Sequence, residues 1–360
     1  LALSLYEPNF CLVPGFWNEG SKVLTASIPL RCGIQAARYA EQGLEGPKDI
    51  LEADLGFFHF FAFHAIPEFT TGLGKEWLSD TLSYKRYPGT SYIGGPVDSV
   101  LSALKSIGIE KIEDVSQIEK IVIDTTVLSH RVEEIAKKHD YRKLNPILIN
   151  FSVSYSAAYA MLRGDLLPHH FKEAEIREYE KDIHELAQKI QVMHDLSMTA
   201  RTFLTFPQVV SVVKRMDKEE RHQALNHLRT MKSTKAPLKH RIKNVLKLIT
   251  TKEGRVLMKK LLRKDDSEIS LKSLNLPEFP MLQSARARII FKDGRSATAD
   301  IPILTGGAGL PLEERKDWVK KRFKMAFNKD PEPTFKKLDD LKTSIDEFIQ
   351  FVLSKGIPVE

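Results

Sequence analysis

The run from Ser83 to Gly95, SYKRYPGTSYIGG, followed at once by PVDSVLSALKSIG, does most to restrict what this chain can fold into. Glycines at 89, 94 and 95, Pro88, the cations Lys85 and Arg86, the phenols Tyr87 and Tyr92 and the hydroxyls Thr90 and Ser91 make a turn-rich stretch. Its backbone groups need partners that loops usually find at the surface. Val97, Val100, Leu101, Leu104 and Ile107 then recur at helical spacing, so a helix is predicted to start near Pro96 with Asp98 in its first turn. The free amides of that helix point back at the loop. Two readings stay open on these residues. One is a solvated, positively charged loop ahead of an ordinary helix; the other is a carboxylate or phosphate receptor built from the amides with Lys85 and Arg86.

A chain of 360 residues with 42% hydrophobic content suggests two domains, or one domain with another inserted. No run reaches the ~20 apolar residues that a membrane span needs, and the reading is a soluble protein with no membrane partner. The opening LALSLYEPNF lacks the basic segment of a signal peptide and begins inside an element, as a fragment or processed form would. The only cysteines are Cys11 and Cys32, without CxxC or HxxxC spacing. That points to a reducing, intracellular compartment, cytoplasmic or mitochondrial matrix, and to no zinc site.

The net charge of +7 is concentrated. From Leu204 to Phe279 there are 18 lysines and arginines against 8 acidic residues, a local net of +10, which leaves −3 for the rest. Val209 to Val213, Leu225 with Leu228, Ile242 to Ile249 and Val256 to Leu262 describe four short amphipathic helices there, too rich in aliphatics for a disordered tail. Without interleaved aromatics they make a poor platform for nucleic-acid bases.

Elsewhere, NEGSKVLTASIPLRCGIQAARYAEQGLEGPKDILEADLGFFHFF reads as two helices around a corner at Gly43 and Gly46-Pro47. Ile34, Ala36, Ala37, Tyr39 and Ala40 form a small-residue face for close packing. His59 and His64 fall among crowded phenylalanines and read as ring edges in a buried aromatic cluster, with no metal or catalytic role. Ile121, Ile123, Thr125 and Val127 alternate as in a half-buried strand, and a helix follows through Lys138. Ser152 to Ala160 suits a tightly packed helix, and Ile176 to Ile190 a further helix ending in a short extended piece. ARARIIFKDGRSATADI is the clearest hairpin, turning at Lys292-Asp293-Gly294. Thr305 to Leu310 lacks any phosphate-loop pattern, precedes the acidic Glu313-Glu314 and reads as a structural connection. Amphipathic helices with Trp318, Val319, Phe323 and Phe327 inward, and up to Gly356, complete the chain.

The order of these pieces resembles the MmgE/PrpD family, which includes 2-methylcitrate dehydratase and cis-aconitate decarboxylase. RCGIQAARYAEQGLEGPKDILEADLGFF, LSYKRYPG, NFSVSYSAAYAMLRGDL, IHELAQKIQVMHD and IIFKDGRS are similar to its successive segments, over most of residues 13 to 203 and 280 to 353. The resemblance implies a mostly α fold with an α+β inserted lid, a helical domain built from both chain ends. On this chain that gives a helical domain over 1–80, lid and return helices over 81–203, a basic helical insert over 204–279, and the lid hairpin with C-terminal helices over 280–360. It also implies a homodimer without metal or organic cofactor, acting on a di- or tricarboxylate.

Such a family removes a proton, water or CO₂ next to a carboxylate, which needs cations for the carboxylates and a residue to move the proton. By resemblance, Lys22, eleven residues before Gly33, is the catalytic lysine, for proton transfer or charge stabilisation. Lys85 is the second active-site lysine and binds carboxylate, with Tyr87, Thr90 and Ser91 beside it. Thr90 stands where decarboxylase-like members keep a histidine. Two further family histidines belong to an N-terminal part that this chain does not contain, so the expectation is a fragment short of its acid/base. The implied function is a dehydratase acting on 2-methylcitrate or a related alkylcitrate, as in fungal secondary metabolism. The alternatives are a cis-aconitate-type decarboxylase and a catalytically incompetent scaffold.

Overall fold

The computed structural model describes residues 24–61, 83–205, 216–220, 222–223, 242, 246–247, 249–262, 282–327, 329–339 and 344–354. The ordered centre is a four-stranded mixed sheet covered on one face by helices. Strands β1 (Ile118–Thr125), β2 (Ile190–His194), β3 (Ala285–Phe291) and β4 (Ser296–Ile301) lie in the order β2-β1-β3-β4. β1 runs parallel to β2, with Ile121 opposite Ile190, and antiparallel to β3, with Ile123 opposite Ala287. Ile121 and Ile123 of β1, and Ala287 and Ile289 of β3, are buried on the covered face, whereas Arg286, Arg288, Thr298 and Asp300 on the other face are exposed. This is the alternation expected of a sheet with one wet side.

Helix α3 (Gly94–Lys105) lies on that covered face, where Val97, Val100 and Leu104 are fully buried. Each contributes roughly 1.5–3 kcal/mol of apolar burial. Before it come α1 (Leu24–Glu41) and the short α2 (Phe57–Phe61). Between β1 and β2 run α4 (Val127–Ala136), α5 (Pro146–Phe151), α6 (Val153–Arg163) and α7 (Glu173–Gln188). They make the long crossover that a parallel pair requires. Sequence dictates these ends locally. The Asn145 side chain accepts from the Leu148 amide and caps α5, and Ser152 accepts from the Tyr155 amide and caps α6. Gly164, at φ 75°, ends α6 in the left-handed conformation. Then follow α8 (Leu196–Thr205), α9 (Lys252–Leu262), α10 (Leu312–Phe327), α11 (Glu332–Asp339) and α12 (Ile345–Ser354).

The hairpin forms as read, with Gly294 at φ 87° and the Phe291 amide bonded to the Arg295 carbonyl. Of the first corner only the stop forms as read, with Gly43 at φ 88° just after the end of α1. α1 forms, yet among its described side chains Ala36 alone is buried and Leu30 and Ile34 are exposed, so the small-residue face is not packed within the described residues. The helix expected after Gly46-Pro47 is a series of turns instead, in which the Phe57 amide returns to the Ile50 carbonyl and Leu55 takes a left-handed φ of 64°. His59 is exposed, its ring edge-on to Phe60, and not part of a buried cluster. Val127 starts α4 and is no part of the strand. Of the basic segment, α9 is described as a helix, with Leu257 buried against Ala200. His64, Phe327's side chain, Gly356 and most of the expected basic helices lie outside the described residues.

Candidate carboxylate site

Asp98 is 4% exposed and sits one turn inside α3. A carboxylate so buried needs partners. One oxygen accepts the Tyr87 hydroxyl at 2.6 Å and the Arg86 guanidinium at 3.1 Å; the other accepts the Thr305 amide at 2.8 Å. The helix begins at Gly94, earlier than expected, so Asp98 is its fifth residue and not in the first turn. The amides predicted to face an anion are used locally: Ile93 bonds the Thr90 carbonyl, Gly94 bonds the Ser91 carbonyl, and Pro96 has none. The part of that receptor expected of Arg86 does not form. Arg86 is the internal counterion of Asp98.

The second arm of Arg86 lies 3.6 Å from Asp165, and the guanidinium stacks on the rings of Tyr87, at 4.9 Å, and Trp318, at 5.4 Å. Burial alone would lower its pKa, but Tyr87, Asp98 and Asp165 outweigh that and raise it. The Tyr87 phenol is pushed well above its ordinary value by burial and by Asp98, which keeps it a neutral donor.

This cluster forms one wall of a cavity of about 360 Å³. Lys85, Tyr87, Thr90 and Ser91, the four expected substrate-binding residues that the structure describes, all line it. Lys85 Nζ donates to the Gly89 carbonyl at 2.9 Å and makes no ion pair with a described residue, so its charge is available to a ligand. The turn that presents it depends on Gly89, at φ 135°, where a Cβ would come within 2.8 Å of the Asn150 carbonyl oxygen. Thr90, where a histidine was looked for, has an extended backbone whose amide bonds that same Asn150 carbonyl. Lys22 lies outside the described residues.

Sequence reasoning missed the rest of the cavity lining, Tyr84, Gln283, Leu304 and Thr305. The Thr305 to Leu310 loop is a connection, as read, yet it also closes onto the Ser83 run. Gly306's carbonyl accepts the Tyr84 amide at 2.8 Å, and the Ala308 amide bonds the Ser83 hydroxyl at 2.9 Å. Its glycines carried the available signal: at Gly306, φ 79°, a Cβ would sit 2.4 Å from the Tyr84 carbonyl oxygen.

The serines of NFSVSYSAAYA have structural work. Ser152 and Ser154 donate to the buried carboxylate of Glu133 at 3.0 and 2.6 Å, which holds α4 against the start of α6. Tyr155 is stacked on Tyr141 and paired with His184. Among the described residues no three His, Cys, Asp or Glu side chains gather as metal ligands would, and no helix is long and apolar enough to cross a membrane.

Residues 87–264 match the MmgE/PrpD C-terminal domain. That stretch belongs to the MmgE/PrpD family. The family is one of dehydratase and lyase-type enzymes. The match takes in α3, Asp98, Tyr87, Thr90 and Ser91, runs into the basic segment, and leaves Lys85 and the Leu304-Thr305 wall outside its limits. No curated protein matches the chain.

Proposed function

We propose that this MmgE/PrpD protein is a carbon–oxygen lyase that dehydrates 2-methylcitrate or a related alkylcitrate. The observation that carries the reading is the cavity at the Ser83–Gly95 loop, where the cation of Lys85 meets the residues Thr90 and Ser91. Asp98 in the same wall does not repel a carboxylate ligand, because Arg86 balances its charge. Lys85 therefore sets the sign of the site. It anchors a substrate carboxylate, and the Thr90 and Ser91 hydroxyls hydrogen-bond a second carboxylate or the departing hydroxyl. Tyr84 and Leu304 offer apolar surface to the alkyl substituent. In the reaction a proton leaves the carbon next to a carboxylate, the C–O bond breaks with its electrons on oxygen, and water and a C=C bond result. Lys22 is assigned to proton transfer or to charge on the developing enolate.

The test is absorbance of the unsaturated product with the full chain and citrate-type substrates, beside citrate binding to wild type and Lys85→Ala. The reading expects turnover, with binding weakened about 10- to 100-fold in the variant, as for loss of a charge-assisted contact. No turnover together with unchanged citrate binding in Lys85→Ala overturns it. A second reading follows from Thr90 in place of histidine: a family member that binds tricarboxylates without turning them over. It predicts the same loss of binding in Lys85→Ala and no product from any substrate. Release of CO₂ from cis-aconitate would show the decarboxylase alternative.

A further inference from the structure

Arg86 also borders a second, larger cavity. Its arm toward Asp98 belongs to the carboxylate site, and its arm toward Asp165 reaches a cleft of about 830 Å³ between α3, the 109–111 turn and the end of α6. Four cations line that cleft, Arg86, Lys105, Lys111 and Arg163, against the carboxylates Asp165 and Glu110. Arg86 is already balanced by Asp98, so the excess of Lys105, Lys111 and Arg163 over these two carboxylates is one positive charge. From these features we propose that the cleft binds a small organic anion with two or more carboxylate or phosphate groups and an apolar body.

The state of each cation supports this. Lys105 is exposed and makes no ion pair with a described residue. Lys111 is held by Glu113 at 3.0 Å, but both side chains are largely solvated, at 48% and 76% exposure. Such a solvated pair is weak and exchanges readily for a ligand. Arg163 keeps Glu175 at 3.0 Å and lies over the Tyr179 ring at 4.7 Å, which fixes its guanidinium at the rim of the cleft. Arg86 is only loosely tied on this side, at 3.6 Å from Asp165. Between the cations lie Leu101, Ile109, Leu162 and the Tyr179 ring, an apolar floor that inorganic phosphate alone would leave uncovered. Charged rim, apolar floor and volume together match sites for small organic ligands, which span roughly 300–1,000 Å³. Because one guanidinium spans both cavities, an anion that draws Arg86 away from Asp98 changes the wall of the carboxylate site.

The experiment is calorimetric titration of the full chain with two probes, pyrophosphate and isophthalate, which separate phosphate from carboxylate recognition. Proteins compared are wild type, Lys105→Ala with Lys111→Ala, Lys85→Ala, and a charge control, Lys143→Ala with Lys292→Ala, on other exposed elements. All changed lysines are exposed, and thermal melts check that each variant folds. The inference expects saturable, salt-sensitive binding of at least one probe that weakens at least tenfold in the Lys105/Lys111 variant and less than twofold in the other two. Absence of saturable binding by both probes overturns it. So does loss in Lys85→Ala alone, which would put the probe in the smaller cavity, or equal loss in the charge control, which would mean nonspecific attraction.

Discussion

The hydroxyl of Tyr87 donates to the carboxylate of Asp98 across 2.6 Å, in a place where both side chains are almost fully buried. That bond orders the substrate loop. It ties the residue two after Lys85 to a helix that the sheet holds rigidly, and it shares its acceptor with Arg86 and its carboxylate with the Thr305 amide. Removing the carboxylate leaves three donors, one of them fully buried, without their acceptor. Asp98→Ala is therefore expected to cost about 3–5 kcal/mol in urea unfolding, and Tyr87→Phe about 1–2 kcal/mol, because Arg86 and Thr305 still satisfy the acid. A Tyr87→Phe cost equal to that of Asp98→Ala would contradict this division.

Gly306 lets the loop 305–310 lie against the Ser83 run with its backbone at φ 79°. A methyl group there meets the Tyr84 carbonyl oxygen at 2.4 Å and Trp318 at 3.2 Å. Gly306→Ala should lower stability by roughly 2 kcal/mol or more through backbone strain and displaced contacts. It should also weaken citrate binding, because the wall carrying Leu304 and Thr305 moves. Gly294→Ala, which also sits at positive φ but in open space, is expected to cost stability and leave citrate binding as it was.

Glu133 is 1% exposed and receives hydrogen bonds from Ser152, Ser154 and the Ser154 amide, with Lys137 at 3.7 Å. Glu133→Ala removes an acceptor from all of them at the start of α6. The expected loss is about 3 kcal/mol by chemical denaturation. Ser154→Ala, which leaves Ser152 and the amide in place, should lose about 1 kcal/mol. Equal losses would show that Ser154 alone positions the acid.

His170 is 5% exposed, and burial, helped by Arg163 and His169, lowers its pKa to about 4. In the folded chain the ring stays neutral, and its Nδ1 accepts the Leu167 amide at 3.2 Å. A folded-state pKa below the unfolded one means that its stabilisation is complete above about pH 6.5 and is lost as pH falls from there toward 4. The loss amounts to at most about 3 kcal/mol. His170→Asn, which keeps an acceptor but does not titrate, should flatten that part of the stability profile; an unchanged profile would assign the acid sensitivity elsewhere.

What the chain settled by itself is what depends on near neighbours. Asp293-Gly294 between alternating runs determined the hairpin, periodic aliphatics determined α3 and α7, and Asn145 and Ser152 determined where α5 and α6 begin, because turn chemistry and capping act within a few residues. Lys85, Tyr87, Thr90 and Ser91 could be singled out for the same reason: they share one short loop. The failures have the same origin. Gly46-Pro47 signalled a helix start, but turns won where Phe57 and Phe58 bond back to Ile50 and Leu51. Tertiary structure alone decided that Arg86 serves Asp98 instead of a ligand, and that a loop 207 residues further along the chain completes the wall around the same carboxylate. No periodicity records such a partnership. A buried charge takes whatever counterion and donors the packed fold brings within hydrogen-bond reach, and that choice exists only once the sheet, α3 and the two loops are assembled.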